Sequence, residues 1–322
     1  MHETKYAYAV AYMKTLENKM LTQNEIESLI TAKDVLTALK ILTDKGFGKS
    51  GKNYAAVDEL LKDELEKVWE EAKNACPDEA PLDVLLYKND FHNLKTILKS
   101  SVYAVEWENL VLRPCACEPQ LIDDAIKNNN FEDLPEFIKE TAKNGYELIT
   151  KTGDGQLFEI FVDKSELLIM YELAKQSKND FLIEWSKLES IVANMKIAAR
   201  CVGRNKDFIE NAIIKIDGVN VHKLIDASLV SVQEVSTVIS DFGYQKVSEA
   251  LLVSFAEFEK SCDNLKINFI KKAKNSFFGF EPIMAFLIGK EYELQALRII
   301  LSCKQNDVGV DIIRERLREL YV

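Results

Sequence analysis

The sequence has 322 residues, a formal net charge of −11 and an isoelectric point near 5.0. Chains longer than about 250 residues usually contain more than one hydrophobic core, so we expect two or three compact units. Apolar residues make up 47% of the chain and charged residues 29%, which is typical of a folded protein and excludes a disordered one. The net charge is negative, and the sequence has no stripe of Lys and Arg interleaved with aromatic residues. We therefore predict no binding to nucleic acid.

The apolar runs of the sequence are short. The stretch at residues 283–288 is far below the roughly 18–20 residues that cross a bilayer, which predicts no transmembrane segment. The N-terminal residues MHETKY lack the basic segment, apolar segment and cleavage site of an export signal. We therefore expect a cytoplasmic protein.

Helices are predicted from the N-terminus onward. With only 12 Gly and 6 Pro, the chain has few residues suited to the tight turns of a β-protein. The run Thr22-Gln23-Asn24-Glu25 matches a capping box, in which the Thr hydroxyl and the Glu carboxylate each accept a backbone N–H. Apolar residues then recur at helical spacing as far as Gly46, with a break at Lys33-Asp34. This pattern predicts two short helices joined by a turn.

Residues 46–53 read GFGKSGKN, which differs at one position from the phosphate-binding pattern GxxxxGK[ST]. Asn53 stands where that pattern has a metal-binding hydroxyl group. A phosphate-binding loop also follows a buried strand, whereas residues 35–42 have the spacing of an amphipathic helix. We interpret the segment as a loop between helices, and nucleotide hydrolysis here is the weakest of the functional hypotheses.

The next segment is rich in carboxylates with Lys interleaved, a composition typical of a solvated helix face. The alternative is a binding surface for a basic protein. The residues concerned are Asp58, Glu59, Asp63, Glu64, Glu66, Glu70 and Glu71.

Residues 157–162 are the one candidate for a strand. The apolar positions 157, 160, 161, 167, 168 and 171 fit a helical period better than strict alternation, so we predict a helix there.

A short pattern of two apolar residues followed by a base recurs along the chain. It occurs as Phe91-x-x-Leu94-Lys95, Val192-x-x-Met195-Lys196 and Leu294-x-x-Leu297-Arg298, with the bases 101 and 102 residues apart. A pair of short apolar helices is predicted upstream of each copy, at residues 26–46, 121–137 and 221–244. The spacing is too long for a solenoid repeat. It predicts three similar helical domains, at residues 1–111, 112–216 and 217–322.

Residues with catalytic or metal-binding chemistry are scattered. The six cysteines contain one close pair, Cys115-Ala116-Cys117, which lacks the second pair of ligands that zinc requires. The three histidines are isolated, and none of them stands with a Ser or Cys nucleophile in a pattern typical of a catalytic triad. We predict no metal, no cofactor and no enzymatic activity.

The C-terminal region carries a long and specific pattern. Residues 281–300 read EPIMAFLIGKEYELQALRII, Lys304 follows, and the chain ends in IRERLRELYV. The apolar positions 313, 317, 320 and 321 predict a final helix that packs on the body, with Asp311–Arg314 and Glu315–Arg318 pairs on its polar side. The whole pattern resembles the end of the C subunits of the V/A-type rotary ATPases and of their eukaryotic counterparts, the d subunits.

This resemblance implies an all-α fold in which three similar helical domains surround a central cavity in the shape of a funnel. It implies a non-catalytic part, present in one copy per complex, that connects the D and F shaft subunits to the membrane proteolipid ring. Such a part transmits torque for ATP-driven ion transport or ATP synthesis and is peripheral on the inner face of the membrane. The candidate partner-contact residues are Lys290, Glu291, Glu293, Arg298, Arg314 and Arg316. For those on the helix before residue 300, the alternative is a salt-bridged helix surface.

A second function stays open at this point, namely an unrelated all-helical scaffold or adaptor that binds a basic protein through the acidic segment at residues 58–71. The sequence also leaves open whether the transported ion is a proton or sodium, whether the complex makes or consumes ATP, and which domain contacts the shaft.

Overall fold

The computed structural model describes residues 3–77 and 80–322, so the first two residues of the segment considered for export lie outside the described part. These residues form sixteen α-helices and contain no β-strand, which confirms the prediction of an all-α fold. The first eight helices are α1 (Ala7–Glu17), α2 (Gln23–Thr31), α3 (Val35–Asp44), α4 (Val57–Ala75), α5 (Tyr87–Tyr103), α6 (Pro119–Asn128), α7 (Glu136–Thr152) and α8 (Gly155–Ser177). The others are α9 (Asp180–Arg200), α10 (Lys206–Ala212), α11 (Val221–Ser228), α12 (Val232–Asp241), α13 (Gln245–Val253), α14 (Phe255–Ile270), α15 (Glu281–Gln305) and α16 (Val310–Arg316).

The helices are grouped into two compact units. The first consists of Met1–Ala80 and Lys260–Val322 and therefore combines the two ends of the chain, and the second is Pro81–Glu259. The boundary between them falls within α14. The two units are defined by contacts between residues, whereas the three similar domains are predicted from internal repetition in the sequence. The division into three domains therefore stays a prediction.

Local sequence signals explain where several helices begin. The Thr22 side chain accepts the Glu25 N–H while the Glu25 carboxylate accepts the Thr22 N–H, so the predicted capping box is confirmed. Asp34 caps α3 by accepting the Thr37 N–H at 2.8 Å. The Asp154 carboxylate accepts two N–H groups of the first turn of α8, which satisfies donors that have no partner inside the helix. Residues 157–162 are accordingly helical, as predicted.

One core of the first unit lies between α2, α3, α4, α15 and α16. Burial of large aliphatic side chains drives this packing, since each contributes about 1.5–3 kcal/mol. Helix α15 is buried along most of its length because α1, α3, α4 and α16 contact it from different sides. Fully buried members of this core include Leu29, Leu42, Leu60, Leu297, Ile300 and Leu301.

The second unit has a separate core formed by α5, α6, α7 and α8. Its fully buried side chains include Phe91, Leu94, Ile97, Ile122, Ile138 and Phe158. Helices α12 and α13 pack against each other near a buried pair of hydroxyl groups, Ser236 and Ser248, whose oxygens lie 2.8 Å apart.

The three copies of the short recurrent pattern lie on long helices, α5, α9 and α15. Both apolar residues of each copy are buried. Each base pairs with a carboxylate of another helix: Lys95 with Asp163, Lys196 with Glu259, and Arg298 with Asp58. The pattern therefore marks, in each copy, a helix with one buried face and an ion pair at its edge.

Two of these copies also share a hydrogen-bond arrangement. Asn93 accepts the N–H of Leu112 at 2.7 Å and donates to its carbonyl at 3.0 Å. Asn194, which stands 101 residues later, makes the same two bonds to Ile214, both at 2.8 Å. We call this arrangement the Asn clasp. The third copy has Ala296 at the equivalent position.

The upstream helix pairs agree with the prediction in the first and third copies, as α2 with α3 and α11 with α12. The prediction is wrong in the middle copy, where the short helix α6 is followed by the start of the 17-residue α7. The apolar spacing of α7 continues to Ile149, and these further buried positions extend the helix.

Candidate interaction surface

The candidate contact residues on α15 lie in different environments. Lys290 and Glu293 are buried, with 5% and 4% of their surface exposed, whereas Glu291 is partly exposed and Arg298 is exposed. Lys290 Nζ lies 2.7 Å from Glu293 Oε2 and 2.9 Å from Glu64 Oε1 of α4. Lys290 and Glu293 therefore make their contacts in the interior of the first unit, and neither is part of a salt-bridged helix surface.

Backbone groups complete this buried cluster. Glu64 Oε2 accepts the N–H of Gly48 at 2.9 Å and lies 2.6 Å from Lys67 Nζ. Glu293 Oε1 accepts the N–H of Leu21 at 2.5 Å. The cluster therefore ties α15 and α4 to the loop before α2 and to the loop after α3.

The charge of Lys290 is maintained by its neighbours. Burial lowers the pKa of Lys290, but attraction to Glu293 and Glu64 outweighs burial, so the pKa lies above its ordinary value. The ammonium group also lies 4.0 Å from the centre of the Phe47 ring, within the range of a cation–π contact. A buried charge of this kind is tolerated because it is paired and hydrogen-bonded.

Arg298 and Arg316 are brought to one surface cavity, which Arg318, Ile299 and Cys303 also line. Arg298 makes a long ion pair with Asp58 at 3.5 Å, and Arg316 Nη1 lies 3.6 Å from Cys303 Sγ. Arg318 is not among the contact residues predicted from the sequence, because its spacing from Glu315 predicts a pair within the final helix.

Arg314 is bound elsewhere on α16. Its guanidinium group pairs with Asp311 at 2.9 Å, as predicted, and also with Glu27 of α2. The side chain is about half exposed, so part of its surface is open to a partner.

The C-terminal residues depart from the predicted final helix. Helix α16 ends at Arg316, and Leu317 already has an extended ψ of 147°. Arg318 pairs with Asp263 at 2.9 Å rather than with Glu315. These contacts with α14 replace the hydrogen bonds that a longer helix would form, so the prediction of a helix through residue 321 is wrong.

The end of the chain is nevertheless anchored. Tyr321 is buried, with 2% of its surface exposed, and its ring packs on Gly289 of α15. A Cβ at position 289 would come within 2.5 Å of Tyr321 Cγ, so only glycine leaves room for the ring. The Glu319 N–H is accepted by the Asn264 side chain at 2.9 Å.

The loop at residues 46–53 follows helix α3, as predicted, and its lysines bind carboxylates of α4. Lys52 Nζ lies 2.7 Å from Asp63 Oδ2 and 2.8 Å from Glu59 Oε1. Lys49 pairs with Asp63 and Glu66 at 3.3 and 3.4 Å. The hydrogen bond from Lys52 is the largest cause that lowers the pKa of Asp63, to about 2. The two lysines of the phosphate-loop pattern therefore pair with three carboxylates of the acidic segment, namely Glu59, Asp63 and Glu66.

The cysteine pair lies before α6, and neither thiol forms a disulfide. Cys117 is buried, and burial raises its pKa to about 12. Because metals bind the thiolate, this environment disfavours metal binding.

Comparison with known proteins identifies the family. Residues 9–316 match the family model described as ATP synthase (C/AC39) subunit. The chain belongs to this family. It is 20% identical over 267 residues to the C subunit of the V-type sodium ATPase of Enterococcus hirae, with 81% of each chain covered. It is 21% identical over 354 residues to the C subunit of the A-type ATP synthase of Methanocaldococcus jannaschii, with 98% of this chain and 86% of the relative covered.

The family match confirms the resemblance drawn from the C-terminal pattern, since this is the family of the V/A-type ATPase C subunits. Among the described residues, no helix combines the length and the apolar character needed to cross a bilayer.

Proposed function

We propose that this member of the family is a non-catalytic part of the central stalk, which connects the D and F shaft subunits to the membrane proteolipid ring. In this role it transmits torque for ATP-driven ion transport or ATP synthesis. One copy is present per complex, and it is peripheral on the cytoplasmic face of the membrane. The observation that carries the proposal is the family match over residues 9–316.

The internal construction of the first unit suits a part that transmits force. Interiors packed to the density of organic crystals deform little under load. In addition, the buried cluster of Glu64, Lys290 and Glu293 joins two long helices through charge-assisted hydrogen bonds. Sliding of α15 past α4 would separate these groups and leave a charge unpaired in the interior. The free-energy cost of that unpaired charge opposes the sliding.

The proposed partner surface contains the exposed members of the candidate set. Arg298 and Arg316 lie at one cavity with Arg318, so these three guanidinium groups offer planar donors to carboxylates of a partner. Arg314 and Glu291 are further candidates because both are at least partly exposed. Lys290 and Glu293 support this surface from within, since they position α15.

The alternative function, a scaffold that binds a basic protein through residues 58–71, loses support from the geometry. Asp63 and Glu64 are buried, and Lys49, Lys52 and Lys67 already pair with the carboxylates of α4. A basic partner would have to displace these lysines to reach Glu59, Asp63, Glu64 or Glu66.

Affinity purification tests the proposal. A tag on this chain should recover stoichiometric D, F and proteolipid subunits from mildly solubilised membranes. Membranes of a strain lacking the chain should keep the catalytic head but lose ATP-dependent ion transport. Recovery of the chain without any of these subunits would refute the proposal.

A charge-reversal variant tests the surface. Arg298→Glu combined with Arg316→Glu should weaken assembly with the purified partner, whereas Lys143→Glu combined with Lys223→Glu should not. The control pair has the same change in charge at exposed positions of the second unit.

A further inference from the structure

The second unit contains a groove whose lining is rich in cations. It is lined by α8, α9, α10 and the turn after α9, and has a volume of about 430 Å³, within the range of ligand-binding cavities. Lys164, Lys196, Arg200 and Arg204 line it together with one carboxylate, Asp163. This is a concentration of positive charge on a chain whose net charge is −11.

The positive charge of the groove is only partly compensated. Lys196 and Arg200 both pair with Glu259, at 2.9 Å and 2.5 Å. Asp163 is bound by Lys95, which does not line the groove. The side chains that line the groove therefore include four cations and one carboxylate.

Two of the cations make no ion pair with a carboxylate of the described residues. Lys164 Nζ donates to the carbonyl of Asn211 at 2.9 Å, and burial together with the nearby Lys215 lowers its pKa. Arg204 is exposed and lies 5.5 Å from the centre of the Phe208 ring. Both groups would gain from an anionic ligand.

The floor of the groove is apolar and open. Ile160, Leu167, Ile197 and Phe208 line it and are all partly exposed. A small inorganic anion would leave these side chains in contact with water. A ligand that combines carboxylates with apolar side chains would cover the floor and pair with the cations at the same time.

The cations of the groove come from three successive parts of the chain. Lys164 comes from α8, Lys196 and Arg200 lie one turn apart on α9, and Arg204 lies in the turn that follows. A peptide segment carries carboxylates at intervals, so it can pair with cations that come from separate elements.

We propose that this groove binds an acidic segment with apolar side chains from a neighbouring subunit of the rotary ATPase. The proposal rests on the proposed function, which places other subunits next to this chain. It goes beyond that function by assigning a specific groove and a partner chemistry.

Photo-crosslinking in the assembled complex tests the site. With p-benzoylphenylalanine in place of Phe208, irradiation should attach a peptide of another subunit that mass spectrometry shows to be rich in Asp, Glu and apolar residues. The same replacement at Phe277, which is 69% exposed and lies in the first unit, is the matched control and should not attach that peptide. Absence of a crosslink at position 208 in a complex that contains the chain would overturn the proposal, as would a crosslink to a basic segment.

Charge reversal tests the electrostatics. Lys164→Glu combined with Arg204→Glu should weaken binding of the partner about tenfold and reduce its salt dependence, while Lys143→Glu combined with Lys223→Glu should change it less than about twofold. Circular dichroism checks that the variants fold. Equal binding by both pairs would overturn the proposal, as would displacement of the partner by millimolar ATP or inorganic triphosphate, which would assign the groove to a small anion.

The proposed function and the inference about the groove can be refuted separately. If the chain is absent from the purified complex, the proposed function is refuted and this inference with it. If the chain is present and the groove variants assemble like wild type, only the inference is refuted.

Discussion

At the scale of single residues, the interior of the first unit depends on a paired buried charge. Lys290 is the cation between Glu64 and Glu293, and all three are at most 5% exposed. Removing one partner of a buried pair leaves the other charge without compensation, which costs about 3–5 kcal/mol. The stability of this unit is therefore expected to be far more sensitive to Lys290 than to surface lysines.

Lys290→Met is predicted to lower the free energy of unfolding by about 3–5 kcal/mol. Urea denaturation followed by circular dichroism measures the change. Lys62→Met, at a side chain that is 60% exposed, is the control and should change stability by less than about 0.5 kcal/mol. A similar small loss in both variants would contradict the role given to the buried cluster.

Tyr321 gives a second prediction, because its ring and its hydroxyl group are expected to contribute differently to the stability of the folded protein. The ring is buried against Gly289, but the hydroxyl oxygen has no hydrogen-bond partner among the described residues. Tyr321→Ala should cost about 3 kcal/mol through loss of packing, whereas Tyr321→Phe should be neutral or stabilise the protein by up to about 1 kcal/mol. Thermal denaturation of both variants compares the two effects. A large loss in the Phe variant would show that the hydroxyl group matters.

Glu166 on α8 gives a prediction about pH. Burial is the largest cause that raises its pKa, to about 8, and Asp163 and Glu189 add to the effect while Lys95 and Lys88 oppose it. Because the folded-state pKa is above the unfolded-state value, the carboxyl group costs no stability below about pH 4.5. Its cost grows as the pH rises to about 8.

Glu166→Gln should therefore leave stability unchanged at pH 4.5 and raise it by at least about 1 kcal/mol at pH 8. Urea titrations of wild type and variant at the two pH values measure the difference. An equal effect at both pH values would show that folding does not raise the pKa of Glu166.

At the scale of elements, the Asn clasp connects a helix to the chain that follows it. In both copies one buried side chain satisfies the N–H and the carbonyl of a residue about twenty positions downstream. The backbone groups of Ile214 are buried and would be costly to leave without a partner, so this clasp fixes the segment against α9. Leu112 is exposed, so the clasp to α5 contributes less to stability.

Asn194→Ala is predicted to cost about 1–3 kcal/mol, because it leaves the N–H of the buried Ile214 without an acceptor. Asn93→Ala should cost about 0.5–1.5 kcal/mol, because Leu112 is exposed and water can replace the lost acceptor of its N–H. Hydrogen exchange should show faster exchange of the Ile214 amide in the first variant and of the Leu112 amide in the second. Each variant is the control for the other. Faster exchange at both amides in both variants would indicate general unfolding rather than loss of one clasp.

At the scale of the whole molecule, the first unit is built from the two ends of the chain. Leu29, Leu60 and Leu297 belong to one core although they are far apart in sequence. The second unit is a continuous segment with its own core. Continuous segments with a core fold independently more readily than separated ones.

A fragment of residues 81–259 is therefore predicted to unfold cooperatively on heating, as measured by circular dichroism. A fragment of residues 260–322 should be largely disordered alone, because the apolar sides of α15 would be exposed, and should gain helicity when residues 1–80 are added. Full helicity of the C-terminal fragment by itself would contradict the shared core.

The sequence by itself determined the all-α class, the helix starts at Thr22 and Asp34, and the family, because these depend on local spacing and on a distinctive motif. Only the tertiary structure decided that Lys290 and Glu293 are buried and that the lysines of residues 46–53 pair with α4. Ion pairs between residues far apart in sequence depend on how the helices pack, and local spacing does not determine that packing. The tertiary structure also decided that residues 317–322 leave the helix. An apolar spacing satisfied by a helix can equally be satisfied by an extended chain when α14 supplies the hydrogen bonds and α15 receives the Tyr321 ring.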